Sequence, residues 1–120
     1  MELKFKILKE VLVVKVFGEL DLHTADSLKE KIEKRINKNN RINNLILDLN
    51  NMKFIDSSGL GAILSIYKNL KAAQGKIAVI NLSPQVKRIF KLSGMLKLLL
   101  VAQTKETAVN KIRKGVSYGE

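Results

Sequence analysis

The sequence predicts a single α/β domain: a mostly parallel sheet of four or five strands with an antiparallel start, packed with about four helices. Three observations predict it. Two apolar runs at the N-terminus, residues 3–7 and 11–17, are separated by little more than Lys9 and Glu10, so they must pair as a hairpin. Beyond residue 20, helical and strand periodicities alternate, the pattern of strand–helix–strand units with parallel neighbours and right-handed crossovers. The length, 120 residues with 46% hydrophobic content, suits one domain with a substantial core.

The elements follow in order. Leu3, Phe5 and Ile7 alternate with Lys4 and Lys6, a strand with one wet face at a sheet edge. Residues 11–17 are apolar except Lys15, a strand covered on both faces. Gly18-Glu19-Leu20-Asp21 breaks the pattern. Thr24 is the expected N-cap of a helix carrying Ala25, Leu28, Ile32 and Ile36, and residues 37–44 form a polar turn. Residues 45–49 are a third strand. A short stretch follows, then a second helix with Leu60, Ile63, Leu64 and Tyr67 on one face and Gly75 as its C-cap. Ile77–Ile80 is a fourth strand. Ser83-Pro84 is an N-cap followed by proline at the first helical position, and Val86, Ile89 and Phe90 line that helix up to Gly94. Residues 98–101 read as a fifth strand, and Thr104 caps a last helix with Ala108, Val109 and Ile112. The domain is expected to span residues 1–114, with 115–120 as a flexible tail.

Composition removes several classes of function. There is no cysteine and a single histidine, His23, so disulfides, thiol catalysis and multi-histidine metal sites are excluded. No apolar run approaches the ~20 residues of a membrane span. Lysines interrupt the N-terminal apolar positions, so no signal peptide is expected and the protein is expected in the cytoplasm. The net charge of +11 is uneven: residues 1–60 carry 11 basic and nine acidic side chains, residues 61–120 carry 11 and two. Such a bias suggests an acidic partner, a nucleic acid or a membrane surface, or lysines that only solvate helix faces.

Catalytic patterns are missing. No P-loop is present, and Gly59-Leu60-Gly61 has leucine where a dinucleotide fingerprint needs its third glycine. Ser57 or Ser58 lacks the frame of a nucleophile elbow and would need His23 as its base. Asp21, Asp48 and Asp56 fall near strand ends, where they could share a crevice or serve as loop and cap residues. No cofactor or metal is expected, and no enzymatic activity.

The segment Asp56-Ser57-Ser58-Gly59 is where chemistry concentrates. The chain leaves the sheet there and enters a helix whose unpaired amides and positive dipole end favour a hydroxyl or phosphate oxygen. Gly59 and Gly61 leave that helix start bare for another protein to approach. A plain serine N-cap with small packing residues accounts for the same pattern.

Residues Phe54-Ile55-Asp56-Ser57-Ser58-Gly59-Leu60-Gly61 resemble the signature of the bacterial anti-sigma factor antagonists, small proteins built on the STAS domain. Gly18-Glu19-Leu20-Asp21 with His23-Thr24-Ala25 is similar to that family's second-strand-to-helix turn. Ser83-Pro84 with Val86-Lys87-Arg88, Phe90 and Ser93-Gly94 is similar to its third helix. The resemblance extends to about residue 114 and is strongest to the sporulation branch, the antagonists of anti-sigma F factors. It implies a non-enzymatic switch that binds an anti-sigma factor, itself an ATP-dependent serine kinase, and releases the sigma factor. It also implies that phosphorylation of Ser57 turns the switch off and that a serine phosphatase resets it. The implied partner surface comprises Asp21, His23, Thr24, Asp56, Ser58, Gly59, Leu60 and Gly61. A stress-response sigma switch is the alternative within the family, and a basic nucleic-acid-binding module the alternative outside it. Direct contact with nucleic acid or membrane is not expected.

Overall fold

The first hairpin forms where the alternation predicts it. In the computed structural model, which describes residues 1–39 and 41–115, β1 (Glu2–Leu8) pairs antiparallel with β2 (Val11–Leu20). The pair Leu8↔Val11 closes a two-residue turn in which Lys9 and Glu10 both take positive φ, 50° and 66°. That geometry matches the right-handed twist of the strands, and two side chains ordinarily disfavoured there adopt it.

β2 runs three residues farther than its apolar pattern suggests. Gly18, at φ 97°, does not end the strand. The register shifts between Gly18 and Glu19, and the strand continues through Leu20 to pair with β4 (Met52–Ile55). The stretch after residue 49, expected as a connection, therefore contains an additional strand. Among the described residues the sheet has six strands, not four or five: β1-β2-β3-β5-β6 in order, with β4 on the extension of β2. β3 (Asn44–Asp48), β5 (Ile77–Ile80) and β6 (Leu100–Ala102) are parallel to β2.

Helices α1 (Ala25–Asn37), α2 (Ser57–Ala72) and α3 (Pro84–Leu92) cover one face of the sheet, and α4 (Lys105–Arg113) covers part of the other. Strand alternation sorts the core accordingly. Leu12, Val14, Val16, Leu45, Leu47 and Val79 meet Leu28, Ile32, Ile63, Ile66 and Phe90. Val11, Val13, Ile46, Ala78 and Ile80 meet Ala108, Val109 and Ile112. Among the described residues no helix is long and apolar enough to cross a membrane.

Three further expectations are corrected. Gly75 is not the left-handed C-cap of α2. Gln74 takes that conformation (φ 60°), and Gly75 is required because a Cβ there would collide with the Asn43 carbonyl. On α2, Leu60 and Leu64 pack half-buried against the core as expected, and Ala62, Ile66 and Leu70 join Ile63 and Tyr67 among the buried residues. A 3₁₀ turn, Met95–Lys97, runs into the leucine run and keeps Leu98 and Leu99 out of the sheet, so the strand starts only at Leu100. Thr24 occupies the N-cap position of α1, yet its side chain caps no helix amide. Ser83 and Thr104 do cap, accepting from the amides of Val86 and Thr107. Of the expected tail, residues 116–120 lie outside the described residues.

Candidate functional site

β2 and β4 run parallel and end side by side, with Leu20 opposite Ile55. The residues that follow, Asp21 and Asp56, therefore both lie beyond the carboxyl ends of paired strands, where open α/β sheets place their ligands. The Asp56 amide donates to the Leu20 carbonyl at 3.2 Å, which ties the two exits together.

Asp56 is the N-cap of α2. Its backbone is extended (φ −115°, ψ −171°), and its Oδ1 accepts from the Gly59 amide at 3.0 Å. The Leu60 amide donates to the Asp56 carbonyl at 3.0 Å. One helix-start donor is thus satisfied by the carboxylate. Among the described residues, the Ser57 and Ser58 amides and the Ser57 hydroxyl have no hydrogen-bond partner. Ser57 is exposed, and Ser58 is half-buried.

The two glycines differ. A Cβ on Gly59 would lie 2.5 Å from the Leu20 carbonyl oxygen and 2.8 Å from Ile55 Cγ1. Gly59 is buried, and its lack of a side chain seats α2 directly on the ends of β2 and β4. It is therefore not an open approach for another molecule, as the sequence suggested. Gly61 is: nothing lies within 4 Å of the Cβ position, and the residue is exposed.

The turn from β2 into α1 is held by Asp21 and Thr24. The Thr24 hydroxyl accepts from the Asp21 amide and donates to the Glu19 carbonyl, each at 2.9 Å. Asp21 Oδ1 accepts from the His23 amide at 2.9 Å, and its carbonyl accepts from the Ala25 amide at 2.8 Å. This network, rather than a conventional cap, starts α1, and it leaves His23 exposed. Asp48 does not join Asp21 and Asp56. It is buried at the end of β3 and accepts from the Asn81 side chain (3.0 Å) and the Asn50 amide (3.2 Å). Among the described residues no cluster of acidic or histidine side chains could hold a metal ion.

Two apolar side chains here were not assigned to the surface from the sequence. Leu22, in the β2–α1 turn, is 71% exposed, and Phe54, on β4, is 48% exposed. Leu22 lines a shallow groove of about 340 Å³ between α1 and α2 with Ala25, Ser58, Gly61, Ala62 and Ser65, and Asp26 and Lys29 of α1 complete its wall. The signal for Leu22 was available, because a leucine inside a polar turn has nothing local to pack on. Phe54 gave no signal while β4 was read as a connection. The site thus joins a free hydroxyl, small residues and exposed apolar groups to the carboxylates of Asp21, Asp26 and Asp56 and the ammonium of Lys29, a form suited to contact with another protein.

The STAS domain pattern matches residues 2–108, and the chain belongs to that family. An anti-sigma F factor antagonist of Paenibacillus polymyxa is 34% identical over 102 residues, 85% of this chain and 86% of that protein. One of Lysinibacillus sphaericus is 32% identical over 107 residues, 89% and 90% of the two chains. The solved structure of the anti-sigma factor antagonist SpoIIAA in its unphosphorylated form aligns with a TM-score of 0.72 at 26% identity, covering 93% of this chain and 98% of that one. The phosphorylated form of SpoIIAA, described as a Bacillus cell fate determinant, gives 0.71 at 29% identity, covering 93% and 100%.

Proposed function

We propose that this protein is a cytoplasmic anti-sigma factor antagonist. In its unmodified form it binds an anti-sigma factor that is also a serine kinase, and so frees a sigma factor, sigma F of a sporulation programme. Phosphorylation of Ser57 switches it off, and a serine phosphatase switches it on. It catalyses nothing itself and does not contact nucleic acid. The observation that carries the reading is the state of Ser57: an exposed, unbonded hydroxyl at the first position of α2, beside the capping carboxylate of Asp56. Homology to proteins named anti-sigma F factor antagonists supports the choice of partner.

The physics of the switch follows from that position. A phosphate adds about −1.5 to −2 charges and three acceptor oxygens. On the protein itself, the free Ser57 and Ser58 amides and the helix dipole offset the repulsion from Asp56, so the fold persists. On a partner fitted to a small neutral hydroxyl, nothing compensates. Like charges brought together at an interface cost several kcal/mol, and each ~1.4 kcal/mol is tenfold in affinity. The remaining contacts are assigned to Asp21, Leu22, His23, Ser58, Leu60 and Gly61. Thr24 and Gly59 shape that surface from beneath.

The test is to incubate the protein with its cognate anti-sigma kinase and ATP and to map the phosphate by mass spectrometry. Phosphate on Ser57, absent from Ser57→Ala, is expected. Phosphate on Ser58 with Ser57 bare overturns the site. No phosphate in the presence of an active kinase overturns the switch.

A further inference from the structure

At β1 the sheet ends in an open edge. β1 is seven residues long and, among the described residues, pairs only with β2, so the backbone N–H and C=O groups along its other side have no described strand beside them. Such edges are templates for another chain, and proteins commonly guard them with a lysine or two. Here the cations go well beyond a guard.

On one face of β1, Lys4 stands directly opposite Lys15 of β2, and Lys6 stands opposite Val13. Like charges facing each other across an antiparallel pair destabilise it. The Lys4 ammonium rests 5.2 Å from the Phe17 ring centroid, which relieves part of that cost. Lys105, from the start of α4, joins Lys4, Lys6 and Lys15 around a concavity of about 220 Å³. On the other face, β1 turns Leu3 and Phe5 toward α1, and Ile7 is 56% exposed. A groove of about 520 Å³ lies there, rimmed by Lys31, Lys34, Arg35 and Lys38.

The spacing of those four places them on one stripe of α1. Asp26, Glu30 and Glu33 lie on another, where Lys29 and Glu33 form the only ion pair within 4.0 Å among the described residues. α1 thus turns these four bases toward β1 and keeps its acids, with Lys29, on the other side. Of the carboxylates near the edge, Glu2 lines the groove at one end of the strand. Asp48, in register with Lys15, is buried and engaged by Asn81 and Asn50, and Glu106 follows Lys105 on α4. None of them pairs with these lysines or with Arg35.

We propose that the edge of β1 is a docking site for an extended acidic segment of another protein, which adds to the sheet as a further strand. Main-chain hydrogen bonds to β1 supply the pairing. The period of two supplies the choice of sequence: acidic side chains toward Lys4, Lys6 and Lys15 alternate with apolar ones alongside Leu3, Phe5 and Ile7. A second copy of this chain is a poor occupant, because β1 against β1 would set lysine against lysine. Nucleic acid fits less well, because it cannot use a row of alternating backbone donors and acceptors. The nearby Phe5 and Phe17 rings are also already engaged by Arg35 (4.1 Å) and Lys4. This site is separate from the Ser57 surface and stands whether or not that reading holds.

The test uses ¹⁵N-labelled protein and a blocked octapeptide of alternating Glu and Val at low salt. Saturable shifts confined to β1 and its cation neighbours, with slowed hydrogen exchange along β1, are expected. Lys4→Glu/Lys6→Glu should weaken binding at least about tenfold, while the same charge change on α3, Lys87→Glu/Lys91→Glu, should change it less than about twofold. An analogue N-methylated at every amide keeps every carboxylate but has no amide donor on either edge, and it should not bind. Equal binding of the methylated peptide would reduce the edge to a diffuse charged patch and overturn the proposal. So would tighter binding of a thymidine oligomer at the same residues, or no saturable shift at millimolar peptide.

Discussion

The inner and outer sides of the first turns of α2 share one short run of sequence and obey different rules. Inward, Gly59 is shaped by Leu20 and Ile55, and no side chain fits. Outward, Ser57 and Gly61 touch nothing that the fold requires. Two glycines two residues apart are thus small for opposite reasons, one to let a helix reach a sheet and the other to keep a surface clear. Residue identity alone does not separate the two; the position of the helix on the sheet does.

The largest effect should come from the region that both sides rest on. Leu47 is fully buried in the middle of β3, among the side chains that receive α1 and α2. Leu47→Ala should cost about 2–5 kcal/mol through lost transfer energy and a residual cavity. Gly59→Ala should come next, about 1–3 kcal/mol, because the added methyl meets a backbone carbonyl that cannot rotate away. Urea melts rank the pair. If Gly59→Ala melts like the parent, α2 is not seated as described, and the contrast with Gly61 fails.

Much of this architecture could be read from the sequence. The hairpin, the helix over residues 57–72 and the caps at Ser83 and Thr104 all follow from periodicity and local hydrogen-bonding chemistry. What was missed has a common cause. β4 is four residues long, lacks alternation, and exists only because β2 continues past Gly18 to meet it. Gly75 carried a helix-ending signal, but the constraint on it comes from Asn43, more than thirty residues away. The candidate site divides in the same way. The aspartate and serine at the strand end are local and were legible, but the cap expected there was a serine, and the residue that caps α2 is Asp56. The exposure of Leu22 and Phe54, and the burial of Gly59, depend on how distant elements meet.

Gly61→Ala sharpens the comparison from the outer side. The methyl enters open space, and glycine within a helix is about 0.8–1.0 kcal/mol less favourable than alanine. The variant should therefore be more stable by about that amount, while its added bulk in the groove beside Leu22 and Ser58 weakens binding to the anti-sigma partner. Thermal melts and calorimetric titration with that partner read the two effects separately. A loss of stability would show that the outer side is packed after all.

The smallest effect on the fold should come from Ser57→Asp, with the largest contrast between fold and function. The serine hydroxyl makes no hydrogen bond among the described residues, so its removal leaves no orphaned group. The new carboxylate sits in the first turn of α2, where an anion gains about 0.3–1 kcal/mol from the helix dipole, offset in part by Asp56 one residue away. Net stability should therefore stay within about 0.5 kcal/mol of the parent. Binding to the anti-sigma partner should fall at least about tenfold, because the partner meets a charge where it fitted a hydroxyl. Ser57→Ala, equally neutral to the fold, should bind near parental strength. If the aspartate variant also binds at parental strength while folded, charge at Ser57 is not what separates the two states. If it unfolds, the outer side of α2 is as tightly constrained as the inner one.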